Sequence, residues 1–176
     1  SVSGIAAALD AAGTRVSVAT LAQYLGFLCQ AFAFYRVRHY DVGGKKYLAS
    51  GDKYYLSDHA IRYAKLGTKK LDFGHVYENM VALELLRRCW EIYIGVLYKK
   101  EIDFVAIRRD ERVYIQVSDD ISRQETFERE VAPLLAIRDA YPKMVIARTK
   151  HEAVDYEGIK VVDLARWLMG EGSDVE

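Results

Sequence analysis

Two neighbouring predicted strands carry polar residues at alternating positions. Glu101 and Asp103 share one face of the first strand, and Gln116 and Ser118 share one face of the second. Because those faces can converge, two carboxylates and an amide oxygen can surround one point. Hard oxygen ligands of this kind suit Mg²⁺ or Mn²⁺. The spacing therefore predicts a divalent-metal site at this place in the fold.

A third carboxylate, Glu78, lies in a long apolar helical pattern over residues 75–90. Its neighbours three and four residues on, Val81 and Ala82, are apolar, so an unpartnered carboxylate there would be costly. We expect Glu78, Asp103 and Gln116 to converge in one cleft. A metal ion or a backbone amide would then hold the Glu78 carboxylate.

The chain has equal numbers of basic and acidic residues, but they are unevenly distributed. Residues 1–70 contain ten Lys and Arg against four Asp and Glu, a net charge of +6, and residues 71–176 carry a net charge of −6. This asymmetry predicts two units with a boundary near residue 70. The basic unit could bind nucleic acid or another acidic partner, or dock on the acidic unit, and the sequence leaves these alternatives open.

The first unit has the order of a winged helix. A short helix over residues 3–12 precedes a second helix capped by Ser17, and an aromatic, β-branched stretch then meets a hairpin turn at Gly43 and Gly44. The second helix offers no Lys or Arg for a DNA groove. We expect any phosphate contacts to come from the hairpin instead, through Arg36, Arg38, Lys45 and Lys46.

Residues 53–67 predict a short strand followed by a helix capped by Ser57 or Asp58. A catalytic role for Asp58 is the alternative to this capping role. The nearby Gly-Gly-Lys-Lys stretch lacks the GxxxxGK[ST] spacing of a phosphate loop, so no ATP site is expected in this chain.

The second unit predicts helices and strands in the order αβββαββα, an α/β domain with a mixed central sheet. Its second helix is expected to start with a capping box of Ser122 and Glu125 and to continue to Tyr141. No apolar stretch approaches the roughly 18 to 20 residues of a bilayer helix, so no membrane span is expected. Cys29 and Cys89 are expected to be buried thiols in a reducing cytoplasm, and few amides with many charges favour a thermophilic source.

The sequence resembles the PD-(D/E)XK nuclease superfamily in its helix glutamate, in EIDFVA at 101–106 and in IQVS at 115–118. More specifically, it is similar to the C-terminal region of archaeal and bacterial AAA-type ATPases. The similar sequence segments extend over residues 3–169 and include FLCQAFAFYRVRHYD, KYYLSDHAIRYA, GHVYENMVALELLRR, DAYPKMVIA and DYEGIKVVDL.

The resemblance implies a winged helix in residues 1–70 and a restriction-endonuclease-like domain in residues 71–176. It makes Asp103 and the Gln116 side-chain oxygen ligands of Mg²⁺ or Mn²⁺, with Glu78 near them. Ser118 replaces the family's catalytic lysine, so the site is degenerate. Lys99 or Lys100 could replace that lysine in space or could be solvated turn residues.

The resemblance also implies an N-terminal P-loop ATPase domain in the same polypeptide. The sequence therefore favours a non-catalytic module that serves this ATPase by binding DNA or a protein partner. A metal-dependent DNA endonuclease and an oligomerisation scaffold, active as a homo-oligomer, are the alternatives.

Overall fold

The computed structural model describes residues 2–48, 51–67, 72–98 and 100–171. The protein is a mixed α/β fold. The described helices are α1 (Val2–Ala11), α2 (Val18–Gln30), α3 (His59–Leu66), α4 (Phe73–Arg87), α5 (Gln124–Leu135) and α6 (Leu164–Leu168). The described strands are β1 (Phe34–Val37), β2 (His39–Asp41), β3 (Lys46–Tyr47), β4 (Lys53–Leu56), β5 (Glu91–Leu97), β6 (Lys100–Arg108), β7 (Glu111–Ser118), β8 (Lys143–Ala147), β9 (Val154–Tyr156) and β10 (Ile159–Asp163).

The two amino-terminal helices form as predicted. The Ser17 hydroxyl accepts a hydrogen bond from the Thr20 amide at 3.0 Å, which satisfies one of the free amides of the first turn of α2. Ala6, Leu21 and Leu25 form a small core between the helices. Asp58 caps α3 through the Ala60 amide, in agreement with its predicted capping role.

The predicted hairpin is long and bent. At the base of the hairpin, β1 pairs antiparallel with β4. At its tip, around Gly43 and Gly44, β2 pairs antiparallel with β3. Strand β2 also pairs in parallel with β5, so the tip is an edge of the large sheet and not a free wing. Strands from both sides of the predicted boundary at residue 70 therefore share one sheet.

Eight of the described strands form the large mixed sheet, in the order β3-β2-β5-β6-β7-β8-β10-β9. Strands β5, β6 and β7 are antiparallel neighbours, whereas β8 runs parallel to both β7 and β10. Helix α4 covers one face through Val81, Ala82 and Leu85. Helix α5 covers the other through Val131 and Leu134. The described order after residue 72 is αβββαβββα, one short strand more than predicted, because β9 adds an antiparallel edge to β10.

Helix α5 differs from its prediction at both ends. Its N-cap residue is Arg123, whose side chain accepts no hydrogen bond from the first turn. The amide and hydroxyl of Ser122 donate instead to the carboxylate of Asp120. The expected capping box is therefore wrong. The helix ends at Leu135 and not at Tyr141, because the chain tightens at Ile137, whose amide bonds the Leu134 carbonyl and whose side chain enters the core.

The expectation of two buried thiols is also wrong. Cys89 is exposed, since it follows α4 in a left-handed conformation (φ 61°), and Cys29 is half-buried. Within the described ranges, the helices are all too short or too polar to cross a bilayer.

Candidate functional site

A β-bulge positions Asp103. Between Tyr93 and Gly95, the register of β5 against β6 shifts, so that Asp103 and Phe104 lie opposite the single residue Ile94. Gly95 makes this close approach possible, because a Cβ atom there would lie 2.9 Å from the Cβ of Ile102. The bulge changes which residues of β6 face each helix.

The Asp103 carboxylate lies where β6 and β7 stop pairing. The last paired residues are Phe104 and Ile115, and beyond them Oδ2 of Asp103 accepts a hydrogen bond from the Val117 amide at 2.8 Å. Burial and the nearby Glu78 carboxylate raise the pKa of Asp103 to about 7, although the Val117 amide opposes this shift. The carboxyl group thus replaces a strand carbonyl and titrates near neutrality.

Glu78 is held by two side chains of β4. The Tyr55 hydroxyl donates to its Oε1 at 2.5 Å, and the Lys53 ammonium lies 3.2 Å from the same atom. Lys53 and Tyr55 are two residues apart, so both point from the same side of the strand. Side-chain donors, and not the backbone amide considered above, therefore stabilise this half-buried carboxylate.

The ammonium of Lys53 is shared between two acidic residues. Its second partner is Oε1 of Glu101, at 2.5 Å, and Glu101 Oε2 lies 4.0 Å from Nε2 of His39. Burial lowers the pKa of Lys53, but the Glu78 and Glu101 carboxylates outweigh it and raise the pKa above its ordinary value. Lys53 is therefore the resident cation of a cluster that contains Glu78, Glu101 and Asp103. We call these four residues the acidic cluster.

The structure brings Glu78 and Asp103 together but does not bring Gln116 and Ser118 to Glu78. On β7, Ile115 and Val117 belong to the core beneath α4, so Gln116 and Ser118 alternate onto the face toward α5. Among the described residues, buried Oε1 of Gln116 finds no hydrogen-bond partner. The buried Ser118 hydroxyl donates weakly to the Asp120 carbonyl, at 3.4 Å.

The residues of the acidic cluster do not fit a divalent ion as they are arranged. A dication at Glu78 would meet the Lys53 ammonium 3.2 Å from the same oxygen, and Asp103 already uses one oxygen on a backbone amide. Within the described ranges, groups of three or more His, Cys, Asp or Glu that could hold a metal are absent. Mg²⁺ or Mn²⁺ at Asp103 and Gln116 stays a prediction from the resemblance.

Lys53 and Tyr55 are the residues that sequence reasoning missed. The alternation of a lysine with aromatic residues on the strand predicted at the start of residues 53–67 was the available signal. Lys100 opens β6 and is exposed. Lys99, the other predicted substitute for the missing lysine, lies outside the described residues.

The four basic residues of the hairpin differ in their partners. Arg36 is paired with Asp52, with its Nη2 2.6 Å and its Nε 2.7 Å from Oδ2. Arg38, Lys45 and Lys46 are exposed, and none of the three forms an ion pair with another described residue. Three of the four predicted phosphate-binding side chains are thus available to a ligand.

Comparison with known proteins finds one matching protein family and one related bacterial protein for this chain. Residues 1–72 match a family described as a domain of unknown function, DUF8612. An "Uncharacterized protein" of Haemophilus influenzae is 37% identical over 150 residues, which cover 85% of this chain and 37% of that relative. The chain therefore spans just over a third of the relative's length. No solved structure matches the chain.

Proposed function

We propose that this chain is a non-catalytic DNA-binding module of a larger AAA-type P-loop ATPase, built from a winged helix and a degenerate PD-(D/E)XK nuclease-like domain. The similarity to a much longer bacterial protein supports an appended module. A helix glutamate beside a strand aspartate supports the nuclease-like assignment. Both features match the resemblance on which the proposal rests.

The Lys53 ammonium within the acidic cluster is the observation that carries the non-catalytic assignment. It neutralises Glu78 and Glu101 from 3.2 and 2.5 Å, where a catalytic ion would need free carboxylate oxygens. Asp103, with a pKa of about 7, is largely uncharged in slightly acidic solution, which weakens it further as a ligand. Gln116 adds no charge to offset these losses.

DNA binding is assigned to the tip of the hairpin. Lys45 and Lys46 lie at the hairpin turn and on the edge strand β3, Arg38 directly precedes β2, and all three side chains are exposed. Lys and Arg side chains without acidic partners can neutralise phosphates and release counterions, which drives association with DNA. The contacts are to the backbone, so we expect little sequence preference.

The test compares Mn²⁺ binding and DNA cleavage by the wild type, Lys53→Met and the control Lys65→Met, which removes an exposed lysine of α3. We expect the wild type and the control to show neither Mn²⁺ binding by calorimetry nor cleavage of duplex, single-stranded or branched DNA. Lys53→Met should gain Mn²⁺ binding because it frees two carboxylates. Wild-type cleavage that is lost in Asp103→Asn would overturn the assignment.

A metal-dependent DNA endonuclease is the second candidate, favoured by the same lysine. In this case Lys53 would provide the positive charge that Ser118 lacks, and Lys53→Met would abolish cleavage while leaving Mn²⁺ binding intact. The two functions therefore differ in the wild type, which binds Mn²⁺ and cleaves DNA only if the chain is an endonuclease. Absence of DNA binding together with stable self-association would support the oligomerisation scaffold instead.

A further inference from the structure

A cavity of about 610 Å³ lies beside the acidic cluster, between β4 and the first turns of α3 and α4. Lys53 and Glu78 form part of its wall, but most of it belongs to other residues. Its basic side chains are Lys53, His59, Arg62 and His75, and its aromatic ones include Phe34 and Tyr54. This volume is within the range typical of small-ligand sites.

Arg62 is the unexplained charge in this cavity. Its Nη1 is buried, and no described residue accepts a hydrogen bond from it or forms an ion pair with the guanidinium. Arg36 and Arg88, by contrast, are satisfied by Asp52 and Glu84 respectively. A buried donor without an acceptor is costly, and the Arg62 side chain lines the cavity, so an anion bound there would compensate the charge of its guanidinium.

The two acidic residues of the cavity wall do not supply that acceptor. Asp72 accepts from the His75 amide, and its Oδ2 lies 2.8 Å from Nδ1 of the same histidine. Glu78 is occupied by Tyr55 and Lys53. Local pairing therefore leaves Arg62 as the uncompensated charge, which favours an anion as the ligand.

We propose that this cavity binds a nucleoside phosphate, with the phosphate group at Arg62 and the base against Phe34 and Tyr54. A guanidinium offers a planar fork of donors that matches phosphate oxygens. Aromatic rings provide flat apolar surfaces against which a base can pack. The phosphate belongs either to a free nucleotide or to the end of a nucleic-acid strand.

The test measures binding by the full chain with calorimetry, using inorganic phosphate, a nucleoside 5′-monophosphate, and trinucleotides with and without a 5′-phosphate. Arg62→Gln is compared with Lys65→Gln, which removes an exposed positive charge from the same helix. We expect the wild type and Lys65→Gln to bind the monophosphate, and Arg62→Gln to bind it about tenfold or more weakly. Preference for the phosphorylated trinucleotide over the monophosphate would identify a strand end as the source.

Equal affinity of Arg62→Gln and the wild type, or no binding of any phosphate compound by the wild type, would overturn the proposal. Arg62→Lys keeps the positive charge but lacks the planar fork of donors, so it should bind with intermediate affinity. A circular dichroism spectrum equal to that of the wild type shows that the variant is folded and that only binding has changed. Arg38, Lys45 and Lys46 do not line this cavity, so replacing them by Ala should leave monophosphate binding unchanged. Failure of DNA binding at the hairpin is thereby distinguished from failure at this cavity.

Discussion

The hydroxyl of Tyr55 on β4 donates a hydrogen bond to Oε1 of Glu78 on α4, with 2.5 Å between the two oxygens. This bond connects the hairpin to the helix that covers the large sheet. Tyr55 is 5% exposed, and burial together with Glu78 raises its pKa far above the ordinary value, so the hydroxyl stays a donor throughout the usual pH range.

Tyr55→Phe should lower the free energy of unfolding by about 1 to 3 kcal/mol, because it removes a donor from a half-buried carboxylate while keeping the ring. The matched control is Tyr54→Phe on the same strand, whose hydroxyl has no hydrogen bond to the described residues. Urea denaturation provides the measurement. Equal effects of the two variants would contradict a structural role for this bond.

Asp103→Asn should change how stability depends on pH. The pKa of this carboxyl rises from 3.8 to about 7 in the folded protein, so between these values the folded state retains a proton that the unfolded state has lost. The wild type therefore loses stability as pH rises through this window. Asparagine mimics the protonated form, and the variant should be more stable than the wild type at about pH 8 by on the order of 2 to 4 kcal/mol.

Near pH 4 the Asp103→Asn variant and the wild type should differ little, because the wild-type carboxyl is then protonated in the folded protein. Denaturant titrations across a pH series provide the comparison. Asp110→Asn, in the exposed turn after β6, is the control and should follow the wild type throughout. A constant offset between Asp103→Asn and the wild type at every pH would show that the carboxyl does not titrate in this window.

Gly95→Ala should destabilise the protein by about 1 to 3 kcal/mol through overpacking at the bulge. The new methyl group would lie 2.9 Å from both Ile102 Cβ and Val105 Cγ2, which belong to buried residues that cannot easily move. Gly26→Ala on α2 is the control, since a Cβ there meets no atom within 4 Å. Thermal unfolding that ranks the two variants equally would be inconsistent with a tight bulge.

Ser118→Lys should restore no cleavage, although the resemblance places the catalytic lysine at this position. Ser118 is buried and alternates with Val117, so a lysine would be directed toward α5 and away from Glu78. We expect a loss of stability, because the ammonium would be desolvated without a partner. Metal-dependent cleavage by this variant, but not by Ser118→Met, would contradict the assignment of residue 118 to that face.

The affinity for duplex DNA should fall steeply with salt. Four phosphate contacts would give a log–log slope on the order of −3 to −4, but Arg36 is committed to Asp52, and three contacts give about −2.7. Replacing Arg38, Lys45 and Lys46 by Ala should flatten the slope, whereas Arg36→Ala should change it little. Fluorescence anisotropy over a salt series measures the slope. An equal change of slope in Arg36→Ala and Arg38→Ala would show that Arg36 contacts phosphate as Arg38 does.

Local signals in the sequence determined the separate helices, most strands and the hairpin turn. Ser17 and Asp58 cap their helices because a short oxygen side chain satisfies a free amide wherever the chain begins a helix. The mixed central sheet after residue 70 was also predicted, because the order of helices and strands along the chain indicates it. The end of α5 did not follow, because burial of Ile137 in the core ends it early.

Only the tertiary structure decided where the hairpin lies and which residues meet Glu78. The parallel pairing of β2 with β5 joins residues more than fifty positions apart, and no local pattern encodes such a contact. The bulge interrupts the two-residue alternation between Asp103 and Phe104, and its position depends on the pairing of β6 with β5, which no local pattern encodes. The sequence thus identified Glu78 and Asp103 as carboxylates in need of partners, but the fold supplied Tyr55 and Lys53, because long-range packing brings β4 against α4.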